Sequence, residues 1–302
     1  MVFGAVDIGG TKIKYGVVDD LGTLLFKGSM DTHPRRGSTD LLERIGEKLR
    51  KLKERYPLEG IAISTAGQVD FHKGTISYAT DLIPGWIGTN IKSYYESTFG
   101  LPVVVENDVN CVAMGELWKG AATGRDSFIC IALGTGIGGG IFFNGELFRG
   151  ENFAAGEFGH LKIVDGGREC RCGDRGCYEA HASTDALVSM LQELTGVEKL
   201  DGKMIFDMEK KGISPYKEEV TGWIGYITDG LKNIAVSFNP SLIVIGGGVS
   251  AQGDYLLERI KTDLSRKIMP SFYEKLDLRM ASSGNDAGML GATYLLIKEI
   301  SS

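Results

Sequence analysis

The 302-residue sequence predicts a two-domain α/β protein whose halves repeat one β-rich unit. Three observations lead there. The chain is longer than one hydrophobic core usually organises. A strand–turn–strand–turn–strand pattern occurs twice, at an offset of about 125 residues. Each copy is then followed by the same succession of helix, strand, strand and helix.

In the first copy, residues 2–8 are apolar, Gly9-Gly10-Thr11 breaks the run, residues 12–18 resume it, and Asp20-Leu21-Gly22 turns into residues 23–27. The second copy reads the same way: residues 128–133, a break at Gly134-Thr135-Gly136, residues 139–143, a turn at Asn144-Gly145, and residues 146–149. Gly-rich meanders are common enough for two to coincide, so the later elements weigh more. Helical periodicity over 41–55 and an apolar strand over 60–64 match a helix over 219–238 and a strand over 241–245. A final strand–helix pair, 102–106 with 109–119, matches 276–281 with 287–299. We expect a smaller N-terminal α/β domain of residues 1–119 plus 287–302, and a larger C-terminal α/β domain of residues 120–286 that carries a cysteine cluster, with a cleft between them.

Composition narrows the function. With 43% apolar and 24% charged residues the chain can bury a core. No apolar run reaches the roughly 18 residues a membrane helix needs, and the N-terminus has no basic-then-apolar segment, so no membrane partner and a cytoplasmic location are expected. A net charge of −6 speaks against nucleic acid, which is bound by neutralising phosphates. The 43 glycines are about twice the usual ~7% share, so many loops must let backbone approach something closely.

Several segments carry chemistry. Asp7-Ile8-Gly9-Gly10-Thr11-Lys12 leaves a strand and enters another strand, which excludes a dinucleotide-binding loop, and no Gly-Lys-Ser/Thr stands in a P-loop context. A hairpin remains whose backbone N–H groups can face phosphate oxygens, with Asp7 able to hold Mg²⁺ through water. The second turn, Gly134-Thr135-Gly136, has Ala132 in place of Asp7, so the metal carboxylate belongs to one half only. Each turn alone is also compatible with a plain hairpin. Two turns with a single acid suit an asymmetric ligand such as ATP-Mg²⁺. A third cluster, Gly246-Gly247-Gly248, follows a strand and could lie against adenine or ribose.

Residues 101–105 run apolar into Glu106-Asn107-Asp108 and then a helix. Polar groups at a strand's carboxyl end sit at a cleft mouth in open α/β sheets. Asn107 or Asp108 would also cap the helix, and the two roles can coexist. Gly156-Glu157-Phe158-Gly159-His160 and Glu179 add carboxylates and an imidazole, the groups a polyhydroxylated substrate requires. Cys170, Cys172 and Cys177 fall within eight residues, with His160 ten residues upstream: a complete Cys₃His set for a structural Zn²⁺, unless the thiols are simply free or oxidised. Cys111 and Cys130 lie in apolar stretches and read as core residues.

In this order, these segments, with Ile137-Gly138-Gly139-Gly140 and Ile245-Gly246-Gly247-Gly248, closely resemble the ROK family over nearly the whole chain. The resemblance implies an actin-like, hexokinase-like (ribonuclease H-like) fold of duplicated domains. It also implies ATP-dependent phosphorylation of a hexose hydroxyl, with glucose first and N-acetylmannosamine, fructose, mannose, allose or a β-glucoside as alternatives. Asp108 would be the base. Gly67, Asn107, Asp108, Glu157, His160 and Glu179 would contact the sugar, and His160, Cys170, Cys172 and Cys177 would hold zinc. Asp7, Gly9, Gly10, Thr11, Lys12, Gly134, Thr135, Gly136, Gly246, Gly247 and Gly248 would serve ATP-Mg²⁺. A homodimer or homotetramer is implied. The family also includes repressors with a preceding helix-turn-helix domain. Here the phosphate motif starts at residue 7, which disfavours a repressor and leaves a non-catalytic sugar sensor as the second class. The family often has Pro before Gly67 where this chain has Ala66, Asn-Leu at Asp81-Leu82, and Leu at Tyr178. These departures are expected near the sugar.

Overall fold

The computed structural model of the chain describes residues 1–79 and 83–301, so the departure at Asp81-Leu82 lies outside the described residues. β1 (Val2–Ile8), β2 (Lys12–Asp19) and β3 (Leu24–Asp31) form an antiparallel meander. It is followed by α1 (Gly37–Lys53), β4 (Gly60–Thr65), the hairpin β5 (Gln68–Asp70) and β6 (Thr75–Tyr78), α2 (Ile91–Phe99), β7 (Val103–Asn107) and α3 (Asp108–Lys119). The second meander is β8 (Phe128–Leu133), β9 (Ile137–Phe143) and β10 (Glu146–Phe148). After it come α4 (Tyr178–Ala182), α5 (Thr184–Thr195), α6 (Gly202–Lys210), α7 (Tyr216–Phe238), β11 (Leu242–Gly246), α8 (Asp254–Lys267), α9 (Pro270–Tyr273), β12 (Asp277–Met280) and α10 (Ala287–Ser301).

The two five-stranded sheets have the same topology. Their orders, β3-β2-β1-β4-β7 and β10-β9-β8-β11-β12, correspond strand for strand, and the added strands β4, β7, β11 and β12 pair in parallel. The duplication read from the sequence is therefore present in the fold. β9 begins at Ile137, two residues before the expected start, so Gly138 as well as Gly139 and Gly140 are strand residues and the turn ends at Gly136. A Cβ at Gly139 would stand 2.7 Å from the Gly156 carbonyl and would run into the Phe158 ring, so close packing accounts for glycine at this strand position.

The chain divides into two compact units. One comprises Met1–Asp126, Gly140–Ala155 and Ser282–Ser302, and the other Ser127–Gly139 and Gly156–Ala281. In the first unit, β4 is buried at all six positions because helices cover both sheet faces, the usual state of parallel strands. Period-2 alternation sorts its side chains. Ile61 and Ile63 face a core with Val6, Ile8, Val103 and Val105, to which α1 presents Leu41, Ile45 and Leu49 at helical spacing. Ala62 faces the opposite core of Phe3, Val104, Cys111, Ala292 and Leu296, beneath α3 and α10. Burying each large side chain contributes on the order of 1.5–3 kcal/mol.

A wholly buried carboxylate ties α3 to the segment leading into α10. Glu116 accepts the backbone N–H groups of Ala121 (2.7 Å), Ser282 (3.1 Å) and Ser283 (2.8 Å). Glu116→Ala would orphan all three donors. The expected loss is about 3 kcal/mol or more, read as a lower denaturant midpoint in chemical unfolding; a midpoint equal to the parent's would contradict this bracing.

Candidate active site

Parallel register assembles the polar row of the first unit. Asp7 on β1 pairs with Ser64 on β4, which pairs with Glu106 on β7, and Ile8, Thr65 and Asn107 form the next row. These are the carboxyl ends of three adjacent parallel strands, where a sheet opens to ligand. Asp7 accepts the Ser64 hydroxyl (2.8 Å) and the Lys14 ammonium (3.1 Å). Lys14 also donates to the Asn285 carbonyl at 2.7 Å. Gly288, in the first turn of α10, lets that helix approach: a Cβ there would stand 3.0 Å from the Asp7 carboxylate. The positive end of the α10 dipole favours a carboxylate at this point. Beside Asp7, the Gly9–Lys12 turn closes through Gly9 N–H to the Lys12 carbonyl (3.1 Å) and is held by the Thr32 hydroxyl on the Gly9 carbonyl (2.7 Å). Gly10, Thr11 and Lys12 remain exposed.

At the β7–α3 junction both Asn107 and Asp108 accept the Val109 N–H. Asn107 is the N-cap: its Oδ1 accepts Val109 N–H (2.9 Å) and Asn110 N–H (3.1 Å), and its Nδ2 donates to the Gly67 carbonyl at 2.9 Å. Asp108 is the first residue of α3, half-buried, and accepts its neighbour Val109's N–H at 2.9 Å. Glu106, only 2% exposed, accepts Asn107 N–H and the Asn110 amide on Oε1 and Arg149 Nε on Oε2 at 2.6 Å. The Arg149 guanidinium in turn lies 3.8 Å from the Phe71 ring centroid. Burial, then the charges of Glu106 and Asp7 and, less, Asp108, push the Cys111 thiol well above its ordinary value. That residue is a core thiol, as is the fully buried Cys130.

The second unit gathers a different set. Gly134 N–H closes the second turn on the Gly136 carbonyl (3.0 Å), and Thr184 N–H holds the Gly134 carbonyl at 2.8 Å. Gly247, at φ +86°, lies with its backbone directly against Leu133, so the third glycine cluster meets the second turn. Glu157 and His160 are exposed on the short segment after Gly156. Glu179 turns one oxygen to the Cys170 thiol (3.2 Å) and the other toward Ile137 N–H (3.4 Å), linking the cysteine loop to the end of the glycine turn.

The four ligand atoms of His160, Cys170, Cys172 and Cys177 lie within 4.8 Å of one another. Zn–S bonds of ~2.3 Å and Zn–N bonds of ~2.0–2.1 Å at a tetrahedral angle require S···S near 3.8 Å and S···N near 3.6 Å. Cys172 and Cys177 sulfurs stand 3.7 Å apart, and Cys170 Sγ stands 3.6 Å from His160 Nδ1, so these two pairs match tetrahedral zinc and the four residues can hold it. His181, buried just beyond the loop, accepts Arg168 N–H at 3.1 Å; burial and then Arg168 lower its pKa, which keeps it neutral in that role. Tyr178 corrects an expectation. It is fully buried, and its hydroxyl donates to the Ile227 carbonyl at 2.9 Å while its ring lies against Gly230, so it packs α4 onto α7 instead of lining a ligand loop.

Ser64, Lys14, Glu106 and Arg149 bond to or beside the candidate residues without having been given a role from the sequence. Glu106 alone stood in a motif, the polar run that ends β7. The others are brought in by register or from distant sequence.

The chain is similar to known proteins over nearly its whole length. The ROK family profile matches residues 3–299. A glucokinase of Halalkalibacterium halodurans is 35% identical over 96% of this chain and 93% of its own length. A beta-glucoside kinase of Listeria monocytogenes is 34% identical over 99% of this chain and 98% of its own. The crystal structure of a ROK family glucokinase from Streptomyces griseus, in complex with glucose and AMPPNP, aligns with a TM-score of 0.86 at 34% identity, covering 98% of this chain and 99% of that one. With the profile spanning nearly every residue, the duplicated sheets in place and the Cys₃His set assembled, the chain belongs to the ROK family.

Proposed function

We propose that the sugar kinase formed by this chain transfers the γ-phosphoryl group of ATP to a hexose hydroxyl, glucose first, with Asp108 as the general base. The carrying observation is the β7–α3 junction. Asn107 takes the main capping duty there, which leaves Asp108 at the strand's carboxyl end as a carboxylate held by a rigid helix start. In phosphoryl transfer, positioning and charge neutralisation supply most of the rate, so a fixed carboxylate that orients the hydroxyl and accepts its proton is sufficient.

The other groups have compatible roles. The exposed Gly10–Lys12 and Thr135 backbone turns would cradle phosphate oxygens, and Gly246, Gly247 and Gly248 would lie against the nucleoside. Asp7 keeps a lone pair on each oxygen beyond those taken by Ser64 and Lys14, which suits Mg²⁺ held through water; the ion would neutralise phosphate charge. Gly67, Asn107, Glu157, His160 and Glu179 would hold the sugar hydroxyls. Zinc on His160 Nδ1 and the three thiolates would fix the loop and leave the imidazole's other nitrogen for a hydroxyl.

Relatives acting on glucose and on beta-glucosides stand at nearly equal identity, which keeps a β-glucoside as the alternative substrate, with N-acetylmannosamine, fructose or allose behind it. A sensor without turnover is the reading of another class; the intact Asp7 and Asp108 favour the kinase. Unpaired cysteines in a metal-type cluster suit a reducing, cytoplasmic setting, and among the described residues no helix is long and apolar enough to cross a membrane. A homodimer or homotetramer is the assembly we expect.

Asp108→Asn should lower kcat by roughly 10²-fold to 10⁴-fold while calorimetry shows ATP still binding; parental turnover in this variant would remove the base assignment. The purified protein should contain one zinc per chain by elemental analysis. Cys172→Ser should lower that content and weaken sugar binding in step. Zinc-free protein that binds sugar as tightly as the loaded form would contradict the loop's orienting role.

A further inference from the structure

We infer that Arg149 is a positioning residue for phosphoryl transfer, acting through the buried Glu106 carboxylate on the Asn107-Asp108 junction; this rests on the reading of Asp108 given above. Glu106 is 2% exposed, a location in which a carboxylate stays charged only if paired and fully hydrogen-bonded. Its pairing has two sides. Oε2 takes Arg149 Nε at 2.6 Å, and Oε1 takes Asn107 N–H at 2.8 Å and Asn110 Nδ2 at 3.0 Å. Arg149 therefore supplies the charge that lets Glu106 grip both residues flanking the start of α3.

The grip continues outward. Asn107, fixed through its own N–H, spends its amide on the Gly67 carbonyl and its Oδ1 on the first N–H groups of α3. Gly67, Asn107 and Asp108 thus share one hydrogen-bonded frame whose buried end is the Glu106–Arg149 pair. Arg149 is itself held by stacking on Phe71, 3.8 Å from the ring centroid, in the turn after β5. Phe71 and His72 are ring neighbours, and His72 meets Phe153 edge-on at 5.3 Å. The β5–β6 turn and the segment after β10 consequently form one aromatic brace around the guanidinium. Low local dielectric strengthens such a network when complete and makes it costly when half-made, so its effect on geometry exceeds that of a surface pair.

The test uses the full-length, zinc-loaded protein with three variants and steady-state kinetics in both substrates. Arg149→Met leaves a buried charge unpaired and loosens the junction. It should lower kcat and raise the sugar KM, with kcat/KM for sugar down by up to about 10²-fold, while the ATP KM stays within about twofold. Arg149→Lys keeps the charge without the planar fork or the stacking and should fall between Arg149→Met and the parent. The double variant Glu106→Gln with Arg149→Met removes the orphaned charge yet keeps an oxygen for Asn107 and Asn110, so it should recover part of the lost kcat. A merely structural role would depress the yield of active protein without this split between substrates or this neutral rescue.

Parental kcat and sugar KM in Arg149→Met would overturn the proposal. So would a double variant that folds and is no better than Arg149→Met. If Arg149→Met does not fold, Arg149→Lys and the double variant decide: a raised sugar KM at unchanged ATP KM supports the proposal, and parental values in both overturn it. Asp108→Asn measured alongside separates the two layers. Its inactivity together with normal Arg149→Met kinetics removes only the positioning role, whereas its full activity removes the base reading and this inference with it.

Discussion

The level at which β1, β4 and β7 end governs the chemistry of the first unit. Parallel register sets Asp7, Ser64 and Glu106 in one row and places Asn107 one step beyond, so carboxylates accumulate at one sheet edge before any ligand is considered. Like charges so placed need counter-charges, and the chain supplies one to each end of the row: Lys14 from the neighbouring antiparallel strand to Asp7, and Arg149 from the segment after β10 to Glu106. Further features follow from this requirement. α10 must bring its first turn against Asp7, which Gly288 permits, and the segment leading into α10 is held by Glu116 from beneath α3.

The second sheet repeats the topology of the first but not its acid row. Ala132 stands where Asp7 stands in the first, and the corresponding turn keeps only glycines and Thr135. Its chemistry comes instead from the insertion between β10 and α5, where the Cys₃His set and Glu179 are organised. Glu179 reaches from the cysteine loop to Ile137 N–H at the end of the glycine turn. Duplication thus produced two scaffolds of one topology with complementary equipment, one acidic and one rich in bare backbone and metal ligands.

Much of this was legible in the sequence because it is local. The meanders show as period-2 apolar runs broken by glycine, and the helices over 41–55 and 219–238 show as amphipathic stripes; the structure returns them as β1–β3, β8–β10, α1 and α7 with boundary shifts of a few residues. The cysteine set was legible because ligand types and spacing are themselves the chemistry. What escaped depends on distance or on packing. The Glu106–Arg149 bond joins positions 43 residues apart, and Ser64 reaches Asp7 only through strand register. Ile137 and Gly138 were not read as strand because they stand between glycines, yet β9 begins at Ile137. Tyr178 looked like a ligand-loop change and is core, because its hydroxyl finds a carbonyl on α7.

The most direct test of the central claim is phosphorus NMR of the zinc-loaded protein incubated with ATP, Mg²⁺ and glucose. The account predicts one sugar monophosphate ester formed for each ADP, with little inorganic phosphate, as transfer to a bound hydroxyl requires. ADP accompanied by inorganic phosphate alone, or no reaction with glucose or with any other hexose or glucoside tried, would contradict it.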